Sequence, residues 1–416
     1  MVPSEEQEAA LKAIKYWFEH EMTNVFRLGG LAGTGKSSII PMIHDYLGLD
    51  SFNIEYVAPT NKAALIVQRR LVESDIIANA RTLHKAYYQK HERHCDGCPL
   101  TVSLRNVCHG IPGYNSCGCF LDFNAAVNLD RQIKLIVCDE SSMVSREIYQ
   151  DVMDGIGPDV KILFVGDHGQ LEPVEDNYEA MKRYGKFDLM HDPDFVLTQI
   201  QRQAEGSPII RLAHSARKGR DIPFGAFGAG VLKIKSADEL EFDFEDRNTV
   251  GITYFANVDP TNRYHKGRLS VNELNHIWRM NLGLPKRPVV GDRVVCRDFI
   301  RAQAIAKGSL GVIQEIKIIS NDTYYANIVL SDGRVYEGNI AAAQFENNKL
   351  IWGMQHLAKW DYGYALTCHT AQGSEFDSVV VFEPPRGFIR WLGVESYSRW
   401  LYTAITRAKQ RLLIVG

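Results

Sequence analysis

The chain predicts an α/β protein with a parallel, doubly wound sheet, and three runs carry that prediction. Val25-Phe-Arg-Leu28 reads as a short apolar strand, Gly30-Leu-Ala-Gly-Thr-Gly-Lys36-Ser37 as a glycine-rich turn, and Ser38-Ile-Ile-Pro-Met-Ile43 as the start of an apolar helix. Ile133-Lys-Leu-Ile-Val-Cys138 is a second apolar strand and ends in the acid pair Asp139-Glu140. Val160-Lys-Ile-Leu-Phe-Val165 is a third and runs into Gly166-Asp167-His168-Gly169-Gln170. Long helical spacers between such strands imply parallel crossovers. Ligands of these sheets bind beyond the carboxyl ends of the strands, so Lys36, Asp139 and Gln170 are expected to face one crevice.

The first polar run fits the phosphate-binding loop G-x-x-x-x-G-K-[ST] at every fixed position. Gly30, Gly33 and Gly35 let the backbone curl so that N–H groups point inward at the phosphates, and Ala32, Thr34 and Ser38 are further candidate nucleotide contacts. Lys36 lies against the β- and γ-phosphates, and the Ser37 hydroxyl ligates Mg²⁺. Asp139 is the expected partner for Mg²⁺, Glu140 the residue that polarises the attacking water, and Gln170 the sensor of the γ-phosphate. The expected ligand is a nucleoside triphosphate with Mg²⁺.

With 416 residues the chain is long enough for two to four domains. Hydrophobic content of 45% and charged content of 23% are those of a globular protein. No apolar run approaches the roughly 18 residues of a membrane span. The polar start Met1-Val-Pro-Ser-Glu-Glu-Gln7 is unlike a signal peptide, so a cytoplasmic protein without a membrane partner is expected. The net charge is −3, from 47 basic and 50 acidic residues, which excludes a basic coat over the whole surface. Charge is segregated instead. Acids cluster from Asp238 to Asp246, and Lys286, Arg287, Arg293, Arg297, Arg301, Lys307 and Lys317 lie within one stretch.

From Pro288 to Trp352 the pattern changes to short strands at Arg293–Arg297, Gly311–Ile319, Tyr324–Leu330 and Arg334–Tyr336. The turn signals Asn321-Asp322 and Ser331-Asp332-Gly333 separate the later ones. A small antiparallel β-barrel is expected there.

In order along the chain, these motifs resemble those of superfamily 1 DNA helicases, in the subgroup B that contains RecD and the small Dda-like phage helicases. Gln7 resembles the adenine-reading glutamine of that family, Pro59-Thr60-Asn61 its motif Ia, Arg81-Thr82-Leu-His84 its motif Ib, and Leu197–Arg202 its motif IV. Thr253-Tyr-Phe-Ala-Asn257 resembles the opening of the second motor domain. Tyr364–Asp377 resembles motif V, and Leu401-Tyr402-Thr403-Ala-Ile-Thr406-Arg407 motif VI.

The resemblance implies two RecA-like P-loop domains with a small cysteine-rich insert in the first and an SH3-like β-barrel insert in the second. The expected boundaries are motor domain 1A at 1–80 and 122–205, a 1B insert at 81–121, motor domain 2A at 206–287 and 353–416, and barrel 2B at 288–352. It implies Arg202 and Arg407 as arginine fingers, Gly373 and Glu375 as further nucleotide contacts, and a DNA track of Pro59, Thr60, Asn61, Thr82, His84, Thr253, Asn257, His369 and Thr370. Small hydroxyl and amide groups suit phosphate oxygens without reading sequence. The implied activity is ATP-dependent unwinding of DNA with 5′ to 3′ movement on the single strand, in replication, recombination or repair. Alternatives are a translocase that strips bound proteins and a nucleotide-gated DNA-binding module. Expected partners are single-stranded and forked DNA and single-strand-binding or replication proteins, with the chain itself a monomer.

One segment departs from the family. Cys95-Asp-Gly-Cys98, Cys108 and Cys117-Gly-Cys119 hold five of the eight cysteines between motifs Ib and II. In a reducing compartment such spacing points to metal rather than disulfides. Four of the five thiolates can complete a tetrahedral structural Zn²⁺ site, with His91, His94 and His109 as spare candidate ligands and an iron–sulfur cluster or free thiols as alternatives, and a strand-separating pin built on that loop is the expectation.

Overall fold

A computed structural model describes residues 2–92, 121–125, 132–173, 185, 187–200, 206–235, 249–256, 269–298, 300, 303, 305, 307–346, 354 and 357–416. Contacts divide the chain into two compact units. The first comprises Met1–Gly29, Lys36–Gly166 and Glu172–Leu197, and the second Gly30–Gly35, Asp167–Leu171 and Thr198–Gly416.

The strands of the first unit are β1 (Val25–Gly30), β2 (Ile54–Ala58), β3 (Ala80–Thr82), β4 (Tyr88–Glu92), β5 (Leu121–Ala125), β6 (Leu135–Cys138), β7 (Lys161–Gly166) and β8 (Phe195–Leu197). Six of them form one sheet in the order β3-β2-β6-β7-β1-β8, and the pairs β2/β3, β2/β6, β6/β7 and β1/β7 are parallel. β4 and β5 pair separately as an antiparallel ribbon. Parallel strands are covered on both faces and so read as unbroken apolar runs: β2, Ile-Glu-Tyr-Val-Ala, is buried at every position.

The helix Glu5–His20 starts on a capping box, in which the Ser4 hydroxyl accepts from the Gln7 amide while Gln7 Oε1 accepts from the Ser4 N–H. It buries Ala10, Leu11, Ile14 and Trp17, the helical spacing of a single apolar stripe. At its far end Lys161 Nζ donates to the carbonyls of Trp17 and Glu21, both at 2.7 Å, satisfying groups that the helix terminus leaves open.

The second unit holds β9 (Gly225–Gly228), β10 (Val231–Ile234), β11 (Thr249–Thr253), β12 (Arg293–Cys296), β13 (Leu310–Ile318), β14 (Thr323–Leu330), β15 (Val335–Ala341), β16 (Trp360–Tyr362), β17 (Ala365–Thr367), β18 (Phe376–Phe382) and β19 (Ala408–Val415). One sheet runs β17-β11-β18-β19-β10-β9, parallel except for the edge strand β9. Gly251 in β11 is a packing requirement, because a Cβ there would stand 2.8 Å from Trp278 Cζ3 and 3.3 Å from the Ala365 Cβ. A second, antiparallel sheet runs β15-β14-β13-β12-β16. It recruits a fifth strand, β16, from beyond residue 352, and an isolated bridge joins Ile340 to Ala358. Among the described residues no helix is long and apolar enough to cross a membrane.

A buried ion pair ties the antiparallel sheet to the helix Val271–Asn281. Arg279 donates from Nε to Asp292 Oδ1 at 3.0 Å and from Nη2 to Oδ2 at 2.9 Å, and gives its other bonds to the carbonyls of Lys286 and Arg287. Asp292 also accepts from the Tyr364 hydroxyl and the Val289 N–H. With both partners buried, removing one strands the other charge in a dry site. Asp292→Ala is expected to cost about 3–5 kcal/mol in urea unfolding.

Asp361 in β16 behaves differently. Burial pushes its carboxyl up to about 6, while Arg297, 4.0 Å away, and the Tyr362 N–H oppose the rise. The unfolded carboxyl ionises near its ordinary 3.8, so the folded state holds more protons between the two values. Stability from this group is therefore full below about pH 4 and lost as pH rises through about 6. Asp361→Asn is expected to stabilise by about 1–3 kcal/mol at neutral pH and by nothing at pH 4, read from unfolding curves at both.

Candidate nucleotide and nucleic-acid sites

In the first unit Lys36 and Ser37 open the helix Lys36–Leu47, where N–H groups without intrahelical partners favour an anion. Asp139 follows β6 directly and is 5% exposed. Burial raises its carboxyl above the usual range; the Glu140 N–H at 2.9 Å, the charges of Arg70 and Lys36, and a hydrogen bond with Ser37 oppose that rise. The structure thus brings Ser37 and Asp139 together. A hydroxyl and a carboxylate side by side at a helix N-terminus are the hard oxygen donors that Mg²⁺ prefers. Glu140 follows with φ 52° and ψ 38°, a left-handed conformation for a non-glycine residue.

Gln7 is buried at 4% exposure and its Oε1 is held by the Ser4 N–H. Pro59, Thr60 and Asn61 are half-buried; Thr60 caps the helix Asn61–Glu73 by accepting from the Ala63 N–H at 3.2 Å. Thr82, 6% exposed, accepts from the Lys85 N–H. His84 lies on the short helix Leu83–Tyr87. Tyr87 is fully buried and serves the core.

In the second unit the loop residues Gly33 and Gly35 take φ of 83° and 80°, which only glycine adopts without penalty. Thr34 turns its hydroxyl inward to the Leu31 carbonyl at 2.8 Å. The Ala32 N–H donates to the Tyr402 hydroxyl at 2.6 Å, and that hydroxyl donates to Asp167 Oδ2, also at 2.6 Å. Asp167 Oδ1 accepts from the Gly169 N–H at 2.8 Å. The rest of this segment is bonded too: Leu171 N–H to Thr403 Oγ1, the Gln170 carbonyl from Arg399, and the Leu171 carbonyl from Gln372. Gln170 is 6% exposed, and its Oε1 has no hydrogen-bond partner among the described residues.

Arg407 is 6% exposed; its Nε donates to the Thr403 carbonyl, Nη1 to the Ser374 carbonyl and Nη2 to Thr406 Oγ1. Gly373 has φ 66°, and Glu375 is an exposed residue 3.7 Å from Lys409. His369 is exposed and Thr370 shares a 2.9 Å hydroxyl bond with Thr367. Thr253, by contrast, is 2% exposed and spends its hydroxyl on the Leu269 carbonyl. Arg202, Asn257, Cys95, Cys98, Cys108, Cys117 and Cys119 lie outside the described residues. Among the described residues no cluster of three or more His, Cys, Asp or Glu is placed to hold a metal ion. The bonded role of Tyr402 is one that sequence reasoning missed, although the residue stands inside the run that drew attention for Arg407.

The family model described as an AAA domain matches residues 3–230, and that described as a UvrD-like helicase C-terminal domain matches residues 362–415. The ATP-dependent RecD2 DNA helicase of Deinococcus radiodurans is 26% identical over 393 residues, covering 94% of this chain and 46% of the relative. The ATP-dependent DNA helicase dda of Enterobacteria phage T4 is 22% identical over 467 residues, covering 97% of this chain and 96% of the relative. The chain thus spans less than half the length of the RecD2 relative. In solved structures, a Pif1 helicase at forked duplex DNA aligns with a TM-score of 0.54 at 16% identity, over 100% of this chain and 92% of that one. Pif1 helicase from Bacteroides in complex with ADP-AlF3 and single-stranded DNA aligns at 0.52 and 18%, over 100% and 93%; at these identities the likeness speaks for the fold alone. The α/β fold, with its parallel sheets, resembles that of two RecA-like helicase domains, and with an AAA-domain match over more than half of its length the chain belongs to the AAA-domain family.

Proposed function

We propose that this protein is an ATP-driven motor that moves 5′ to 3′ on single-stranded DNA and unwinds duplex DNA ahead of it. The observation that carries the reading is the pairing of Ser37 with buried Asp139 beside Lys36, a Mg²⁺-nucleotide seat at the end of a parallel sheet. The RecD2 and dda relatives, named as ATP-dependent DNA helicases, support ATP as fuel and DNA as track. In this reading Lys36 and the loop amides hold the phosphates and Ser37 and Asp139 hold Mg²⁺. Glu140 activates water, Gln170 responds to the γ-phosphate, and Arg202 and Arg407 neutralise charge on the transferring group. Gln7 reads adenine, and Gly373 and Glu375 complete the nucleotide contacts. Thr60, Asn61, His84, His369 and Thr370 are the proposed DNA contacts. Thr253 supports the strand β11 rather than reaching out. The antiparallel sheet of the second unit is assigned to an SH3-like barrel, and the protein to the cytoplasm as a monomer.

ATP hydrolysis measured with and without single-stranded DNA, followed by unwinding of 5′-tailed and 3′-tailed duplexes, tests this. DNA-stimulated hydrolysis and a preference for the 5′ tail are expected. Absence of stimulation sinks the motor, and a 3′ preference sinks the direction. Stimulation without strand separation leaves a translocase. Lys36→Ala is expected to lower hydrolysis by about 10²–10³-fold while single-strand binding stays within a few-fold of wild type.

We also infer that four of Cys95, Cys98, Cys108, Cys117 and Cys119 hold a structural Zn²⁺ that braces the strand-separating insert. Elemental analysis of purified protein is expected to find about one zinc per chain. Cys95→Ser is expected to lower unwinding while DNA-stimulated hydrolysis continues.

A further inference from the structure

We infer that Tyr402 is a positioning residue for ATP hydrolysis, whose hydroxyl clamps the phosphate loop at Ala32 to the sensor segment at Asp167. The inference rests on the reading of the chain as an ATP hydrolase, and every residue it uses lies within the second unit. One hydroxyl makes both bonds, accepting from the Ala32 N–H and donating to Asp167 Oδ2, each at 2.6 Å. Burial and the adjacent carboxylate push that hydroxyl well above its ordinary range, so it keeps the proton that the second bond requires.

Both ends of the clamp need an outside restraint. After Ala32 the loop passes through Gly33 and Gly35, which hold no conformation by themselves. Asp167 in turn fixes the Gly169 N–H, and with it the turn that presents Gln170. His214 Nε2 lies 3.2 Å from the Ala32 carbonyl, so the peptide on the far side of Ala32 is held as well. The fit is close: a Cβ at Gly169 would stand 2.6 Å from Leu31 Cδ2 and 3.0 Å from Tyr402 Cε1. The Leu31 methyl can swing aside, but the Tyr402 ring is fully buried. A clamp of this kind aligns groups for the transition state and adds little to ground-state binding, which the loop amides supply.

Steady-state ATP hydrolysis by Tyr402→Phe, with single-stranded DNA present, is the test. The expected result is a kcat lower by roughly tenfold, a KM for ATP within about twofold of wild type and a thermal unfolding midpoint a few degrees lower, still far above the assay temperature, because the Ala32 N–H and Asp167 Oδ2 lose a buried partner. Gly169→Ala, which presses on the same ring, is expected to show the same split, and Tyr402→Phe combined with Asp167→Asn to be no slower than the worse single variant. An unchanged kcat in Tyr402→Phe, or a KM for ATP that rises in step with the fall in kcat, overturns the clamp. A wild-type protein inert toward ATP overturns the hydrolase reading together with it, whereas an active wild type with an indifferent Tyr402→Phe overturns the clamp alone.

Discussion

Parallel strands deliver all of their carboxyl ends to one edge of a sheet, and the polar chemistry of the first unit depends on that constraint. β6, β7 and β1 are consecutive neighbours, registered so that Cys138 pairs with Phe164 and Gly29 with Gly166. The chain leaves β6 into Asp139 and Glu140 at the level where its neighbours also end. Burial of the strands on both faces holds that edge in place, and there Ser37 hydrogen-bonds a desolvated Asp139. A loop carried on a frayed edge would spend part of its binding free energy on ordering itself.

The second unit solves a different problem, that of attaching an antiparallel sheet to a parallel one. Their junction is polar. Arg279 and Asp292 exchange two bonds, and Tyr364 and the Val289 backbone supply the remaining partners. Asn275 adds another tie by accepting from the Tyr364 and Ala365 N–H groups and donating to the Tyr362 carbonyl. Hydrogen bonds at such a junction have one register, whereas apolar packing tolerates several, so the polar network determines where β16 ends and β17 begins.

Seven of the nineteen described strands are legible in the sequence, because apolar β-branched runs bounded by glycine and acids have a single reading. Val160–Val165 is found as Lys161–Gly166, and Gly311–Ile319 as Leu310–Ile318. β16 is not legible: Trp-Asp-Tyr is too short to show a period, and a buried aspartate looks like a loop residue. The candidate nucleotide residues Lys36, Ser37 and Asp139 stand out because loop chemistry demands particular residue types at fixed spacing. Tyr402 does not. Its helix is buried at every position from Ser398 to Ile405, so periodicity offers no face, and a core tyrosine with a bonded hydroxyl has no sequence mark of its own. Thr253 fails for the opposite reason, since a hydroxyl suited to phosphate is equally suited to a neighbouring carbonyl.

Glu140 sits in a backbone conformation that costs a non-glycine residue on the order of 1 kcal/mol. Glycine or asparagine at this position would relieve that cost, and either would remove the carboxylate. Under the role proposed for Glu140, folding and turnover pull residue 140 in opposite directions. A library screened for heat resistance alone would favour those replacements and lose the proposed water-activating carboxylate in the same step.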